Sequence, residues 1–142
     1  MGRPEYYGNP ARLTADIDVV RAIYTAFAAR DLDAAMPYVA SGCEIHVEAT
    51  ARLAGRTEPY CGPEGLRQYF ADVERVWDEL TVHARDFRVI PGHVVVMGFV
   101  EGRAGGQTIR RAVVWTWRIR NGCAVHLRVA DIGEANGSSP AP

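Results

Sequence analysis

The stretch Arg110-Arg111-Ala112-Val113-Val114-Trp115-Thr116-Trp117-Arg118-Ile119-Arg120, followed by Asn121-Gly122 and then Cys123-Ala124-Val125-His126-Leu127-Arg128-Val129-Ala130-Asp131-Ile132, decides the fold. Both flanks are rich in β-branched and aromatic residues. An Asn-Gly pair between two such runs is the strongest short-range hairpin signal, because a type I′ turn needs positive φ at both central residues. The rest of the chain reads as material that extends this hairpin into a sheet or packs on it.

Working outward, Thr81 to Ile90 and His93 to Glu101 read as two more strands joined by Pro91-Gly92, a type II turn signal. Gly102 to Gly106 reads as a flexible loop before the hairpin. Upstream, Ile17, Val20, Ile23, Tyr24 and Phe27 recur at helical spacing, which predicts a helix over Ala15 to Arg30 with Thr14 as its cap. A short second helix is expected from Leu32 to Val39, capped by Asp31 and kinked or ended by Pro37. Cys43 to Glu48 alternates apolar and polar residues and predicts a half-buried strand. Ala49 to Cys61 reads as a loop. Gly62-Pro63-Glu64 opens a third helix, with Leu66, Tyr69, Phe70, Val73 and Trp77 on its inner face. Residues 1–13 read as a flexible arm, 14–132 as one domain and 133–142 as a disordered tail.

Helices segregated from a meander of strands mean an α+β fold, with three N-terminal helices on one face of a curved antiparallel or mixed sheet. The runs Val94 to Val100 and Ala112 to Trp117 are apolar at nearly every position. A sheet with one wet face should alternate. Something must therefore cover the outer face, and a second copy of the chain, forming a homodimer, is the simplest candidate.

The 142 residues and the net charge of −1 set bounds. One domain is expected. A chain without a basic excess is a poor match for nucleic acid. No apolar run is long enough for a membrane span, and the N-terminus has no signal-peptide pattern, so the expected compartment is the cytoplasm. Cys43, Cys61 and Cys123 are far apart and odd in number, which favours free thiols over zinc or disulfides. All 16 basic residues are arginine, which excludes Schiff-base chemistry. His83, His93 and His126 match no recognised ligand spacing, so neither a metal nor a cofactor is expected.

Four strings, Val19 to Phe27, Arg30 to Ala34, Tyr60 to Leu66 and Val114 to Gly122, resemble the SnoaL-like polyketide cyclase family, within the nuclear transport factor 2-like (ketosteroid isomerase-like) superfamily. The resemblance covers about residues 14 to 132. It implies a cone-shaped sheet with the helices on its concave face, a pocket between them, and a dimer. Its members include isomerases, cyclases and epoxide hydrolases, so it specifies fold better than activity. By this resemblance the aspartate base of the isomerases falls at Val47, their oxyanion tyrosine at Ile23 and their neutral aspartic acid at Trp115. The final aspartate of limonene epoxide hydrolases falls near Val129. None of these positions keeps the family's group. A one-residue shift in the first strand would instead turn Glu48 or His46 toward the pocket.

The candidate catalytic residues are therefore Glu48, His46, Tyr24 and Asp131. A carboxylate in an apolar cone would have a raised pKa and could move protons α to a carbonyl. Tyr24 or His46 could donate a hydrogen bond to the developing oxyanion. Asp131 reads equally as a pocket acid or as a partner for an arginine. Phe27, Tyr60, Phe70, Trp77, Trp115 and Trp117 are candidates to line a site for a small apolar ligand, or to fill the cone. The expected function is binding of a small, largely apolar carbonyl or polycyclic compound, with cofactor-free isomerisation, cyclisation or hydrolysis if the protein is an enzyme. The alternatives are a non-catalytic ligand-binding protein and an interaction module.

Overall fold

The computed structural model describes residues 10–134. In chain order its elements are α1 (Pro10–Ala28), α2 (Leu32–Ala35), a 3-10 turn (Met36–Tyr38), β1 (Val39–His46), α3 (Glu48–Leu53), β2 (Tyr60–Cys61), α4 (Gly62–Val76), β3 (Glu79–Ile90), β4 (His93–Ala104), β5 (Gln107–Arg120) and β6 (Cys123–Glu134). The strands form one open, six-stranded sheet in the order β2-β1-β6-β5-β4-β3. β1 pairs with β6 in parallel, and every other pairing is antiparallel. The fold is the expected α+β cone with its helices on the concave face.

The hairpin forms as its sequence dictates. Asn121 has φ 52° and Gly122 φ 77°, the positive pair that a type I′ turn requires. Arg120 then faces Cys123, and Trp115 and Trp117 face Val129 and Leu127. Side chains alternate across a strand, so Trp115, Trp117 and Ile119 share the inner face and are buried. Val94 and Val96 of β4 join them, both with 0% exposure. The outward set, including Val95, Met97 and Val114, is half-buried.

α1 lays Val20, Ile23 and Phe27 on this inner face. Its end is a Schellman motif, in which Arg30 N–H donates to the Phe27 carbonyl (2.9 Å) and Asp31 N–H to the Ala26 carbonyl (2.8 Å). Arg30 takes the left-handed position with φ 54°. Its guanidinium lies over the Phe27 ring and donates to the Leu80 carbonyl at 2.7 Å, which ties α1 to β3. Asp31 caps α2 through a hydrogen bond from Ala34 N–H at 3.1 Å, as the sequence suggested. Pro37 ends α2 in the 3-10 turn. α4 opens with Pro63 in its first turn and buries Leu66, Phe70 and Val73.

Several boundaries depart from the sequence expectation. α1 begins at Pro10, since proline suits the first helical position, and not after a Thr14 cap. β1 begins at Val39, with an irregular register between Val39 and Glu44, and stops at His46. Ala49 to Cys61 is not all loop: α3 and the two-residue edge strand β2 lie within it, so the described residues hold four α-helices rather than three. Gly102 to Gly106 is mostly strand, and the turn is confined to Gly105-Gly106. Gly133 and Glu134 end β6. The arm reading for residues 1–9 and the tail reading for 135–142 lie outside the described residues. Among the described residues no helix is long and apolar enough to cross a membrane.

A β-branched residue in the left-handed region costs about 1–2 kcal/mol. Gly122→Val should therefore lower the melting temperature by roughly 3–6 °C, at about 3 °C per kcal/mol for a domain of this size. Thermal unfolding followed by circular dichroism checks this, with Gly105→Val at the neighbouring turn as the comparison.

Candidate functional site

The space between helices and sheet divides into two adjoining cavities. The inner one, of about 50 Å³, is enclosed by side chains such as Phe27, Leu66, Phe70, Trp117 and Leu127. The outer one, of about 140 Å³, is bordered by Glu48, Thr50, Trp77, Val129 and Asp131. Val47, Tyr69, Val82 and Trp115 line both and form the partition between them. A dedicated small-molecule pocket usually runs to roughly 300–1,000 Å³. The inner wall is therefore largely filled by its own aromatics, and a ligand beyond the size of a small ring must displace part of the partition.

The period-two pattern of β1 carries Cys43, Ile45 and Val47 into the inner cavity. Glu44 and His46 alternate to the opposite face, and His46 Nε2 lies 3.1 Å from Glu44 Oε1. His46 therefore lines neither of these two cavities; with Glu48, Arg52 and Arg56 it borders a separate, more polar cavity of about 330 Å³. Nor do His46 and Glu48 share a strand face. The chain turns at Val47, and Glu48 opens α3, which brings this exposed carboxylate back over the mouth of the outer cavity. Among the described residues Glu48 takes part in no hydrogen bond or ion pair.

Tyr24 enters the inner cavity from α1. Trp115 and Trp117 meet its ring edge-on at centroid distances of 5.5 and 5.7 Å. Trp117 Nε1–H donates to the Tyr24 hydroxyl at 3.2 Å. Among the described residues no acceptor takes the Tyr24 O–H proton in return. Burial pushes this phenol well above its usual pKa, with the Trp117 hydrogen bond pulling the other way, so it is a neutral donor across the physiological range.

Tyr69, on α4, is the second phenol of the cavity. It stacks on Phe27 at 5.6 Å, and burial pushes its pKa up to about 12. Thr50, buried in α3, accepts from Trp77 Nε1 at 3.0 Å. Trp77 fits there because Gly102 lies beneath it: a Cβ at that glycine would meet the indole at 2.6 Å. Sequence reading placed Tyr69 on a core stripe but missed Thr50, because a six-residue helix carries too little periodicity to stand out. The remaining polar group of the inner cavity, the Cys43 thiol, is pushed up to about 12 by burial first and then by Cys61 and Glu44, so it is not a thiolate nucleophile.

Asp131 borders the outer cavity but is claimed by Arg111, which donates from Nε at 2.9 Å and Nη2 at 2.9 Å in a two-pronged pair. These bonds hold the carboxyl below its usual range, the reverse of what a general base in an apolar pocket needs. Tyr60 is buried but does not line the cavity. Its hydroxyl donates to Asp72 at 2.7 Å, and Asp72 also accepts from Arg56 Nε and from Arg75 Nη2. Burial alone would raise the Asp72 pKa, but the three donors together hold it below its ordinary value. This network fastens the segment after α3 to α4. The buried carboxylates among the described residues, Asp16 and Asp72, both lie outside the cavity.

The positions onto which the resemblance maps the isomerases' acids and phenol, Ile23, Val47 and Trp115, all line the inner cavity as apolar walls, and Val129, near the mapped final aspartate of the epoxide hydrolases, lines the outer one. The SnoaL-like domain matches residues 20–127. This chain belongs to the SnoaL-like family. Its fold recurs in TerC, crystallised with polyporic acid, at 23% identity and a TM-score of 0.73, over 83% of this chain and 92% of that one. An NTF2-like protein of unknown function from Burkholderia pseudomallei aligns at 22% identity and a TM-score of 0.73, over 83% and 91% of the two chains. The LEH-like epoxide hydrolase of M. tuberculosis aligns at 12% identity and a TM-score of 0.68, over 85% of each chain. At these identities the likeness concerns the fold. No curated protein sequence matches the chain.

Removing the Asp72 carboxylate leaves Tyr60 and Arg56 without their shared acceptor, which should cost about 2 kcal/mol or more. The folded pKa of Asp72 lies below its unfolded value, so its contribution is present above about pH 4 and is lost as the pH falls through the lowered native value. Urea unfolding should show Asp72→Ala far less stable than the native chain at pH 7, with the gap narrowing below about pH 4.

Proposed function

We propose that this SnoaL-like protein binds a small, largely apolar carbonyl compound, with the carbonyl oxygen accepting from the Tyr24 phenol. One observation carries the reading. Tyr24 uses its oxygen to accept from Trp117 and leaves its O–H without an acceptor among the described residues, inside a cavity otherwise walled by apolar side chains. A half-buried donor with nothing to bond is costly, and a ligand acceptor relieves that cost. Tyr69, neutral for the same reason, offers a second donor at the partition. The crystallisation of TerC with polyporic acid supports an organic ligand for this fold.

A catalytic version of this reading is favoured by Glu48. It is a carboxylate on the mouth of the outer cavity with no partner among the described residues, so it is available to accept a proton α to a carbonyl held by the phenols. The reaction class would be cofactor-free isomerisation or aldol-type cyclisation, with Glu48 as base and Tyr24 as oxyanion donor.

Thermal-shift assays against cyclic enones, aromatic polyketides, steroids and terpenoid epoxides test the pocket. A ligand at about 100 times its dissociation constant stabilises by roughly 2.7 kcal/mol, a shift of several degrees. Tyr24→Phe should weaken that ligand about tenfold, the worth of one hydrogen bond. Glu48→Gln should leave binding intact and, if the ligand is turned over, lower the rate at least about a hundredfold. A flat response across all four classes would remove the proposal.

The partner we propose is a second copy of the chain. The described helices lie on the inner face, leaving Val95, Met97, Phe99 and Val114 as an apolar row on the outer face of β4 and β5. His83 stacks on Phe99 at 4.2 Å and Arg110 lies over the other side of that ring, so the row is closed by polar groups at one end. Sedimentation should give a dimer, and Met97→Glu should give a folded monomer by placing a charge in the desolvated row.

A further inference from the structure

We propose that Glu44, His46 and His126 form a site for one divalent transition-metal ion of the zinc type, on the outer face of the β1–β6 seam. The three are distant in sequence and are brought together by parallel pairing. β1 turns Cys43 and Ile45 into the cavity, so Glu44 and His46 share the opposite face. The register then sets Glu44 against His126, and Ile45 against Leu127. His46 Nε2 lies 3.1 Å from Glu44 Oε1, and the two imidazoles sit at 5.0 Å between centroids and 34° between planes. One donor atom from each of the three residues lies within 4.8 Å of the other two.

Metal–ligand bonds of about 2.0–2.2 Å hold donor atoms within roughly 4 Å of one another. Side-chain torsions of the three residues have less than about 1 Å of separation to close. Two imidazoles and a carboxylate are the donor set of zinc, cobalt and nickel rather than of magnesium or calcium. An ordinary ion pair would account for Glu44 and His46. It does not account for His126, whose ring nitrogens make no hydrogen bond among the described residues. In the sheet register Arg118 sits opposite His126 and Arg128 opposite His46. The two arginines weaken any cation site here, so modest affinity is expected. Binding at the seam is independent of the cavity ligand, which occupies the other face, and the assay reads it in whichever oligomer forms.

The test is titration of the full chain, without a histidine tag, with cobalt(II) followed by zinc(II). The expected result is a visible d–d absorption that saturates at one cobalt per chain and is bleached by zinc, with a zinc-dependent rise in melting temperature. Loss of an outer-shell partner alone costs about 10–100-fold in metal affinity. Removing a ligand in His126→Ala should therefore weaken cobalt binding by more than about tenfold, and so should the exposed Glu44→Gln variant, with native circular dichroism in at least one of them. Cys61→Ser, which removes the exposed thiol facing Glu44 across β2, should leave the affinity unchanged. The proposal fails if the protein takes up no metal at about 1 mM, if both ligand variants bind as the native chain does, or if binding is lost only in Cys61→Ser.

Discussion

The register of the β5–β6 hairpin is the constraint on which the rest of the molecule depends. A slip of one residue would exchange every inward side chain of β5 for an outward one. Trp115 and Trp117 would leave the cavity, Thr116 and Arg118 would enter it, and Tyr24 would lose both the indole N–H at 3.2 Å and its edge-on ring contacts. The positive φ angles at Asn121 and Gly122 set Arg120 against Cys123 and Ile119 against Ala124, and a bulge between Arg118 and Ile119 then advances the pairing by one residue, so that Trp117 faces Leu127. β6 then supplies the edge on which β1 pairs in parallel, bringing Cys43, Ile45 and Val47 to the cavity wall.

The parts of this structure written in local periodicity were legible in the sequence. The hairpin, the α4 stripe of Leu66, Phe70 and Val73, and the alternation through Val47 all follow from side-chain direction on a helix or a strand. So does the inward placement of Trp115 and Trp117. What escaped was set by tertiary context. α3 is too short for a period to emerge from Glu48-Ala49-Thr50-Ala51-Arg52-Leu53, yet it delivers both Thr50 and Glu48 to the outer cavity. Tyr60 has the composition of a pocket residue, and only the position of Asp72 on α4 decides that its hydroxyl turns away. The approach of His126 to His46 depends on a parallel pairing between segments at opposite ends of the chain, which no spacing rule encodes.

The distribution of polar groups also limits what the cavity can do chemically. An acid buried in this cavity would have its pKa raised by desolvation, and that is the usual source of a base in such a site. Here Ile23, Val47 and Trp115 fill the corresponding wall with hydrocarbon, and Asp131 is held ionised by Arg111 at the rim. The ionisable groups of the inner cavity are two phenols and the Cys43 thiol, and burial raises their pKa values, which keeps them protonated and denies them as bases. An apolar wall with neutral donors suits a ligand that presents an acceptor. A base, where chemistry needs one, has to come from the solvent side, where Glu48 stands.

Ligand size follows from which member of the partition gives way. Val47 and Val82 are β-branched and stiff about χ1, and Trp115 is 5% exposed and braced by Tyr24. Tyr69 is the exception. It is neither β-branched nor fully buried, and its ring is held by Phe27, Tyr60 and Phe70 at centroid distances of 5.6, 5.4 and 6.4 Å. Displacing Tyr69 would thin the partition between the inner cavity, which holds Tyr24, and the outer one, which Thr50 and Glu48 border. The size of the inner cavity at rest is thus set by an aromatic cluster of Phe27, Tyr60, Tyr69 and Phe70, which a larger ligand would have to repack.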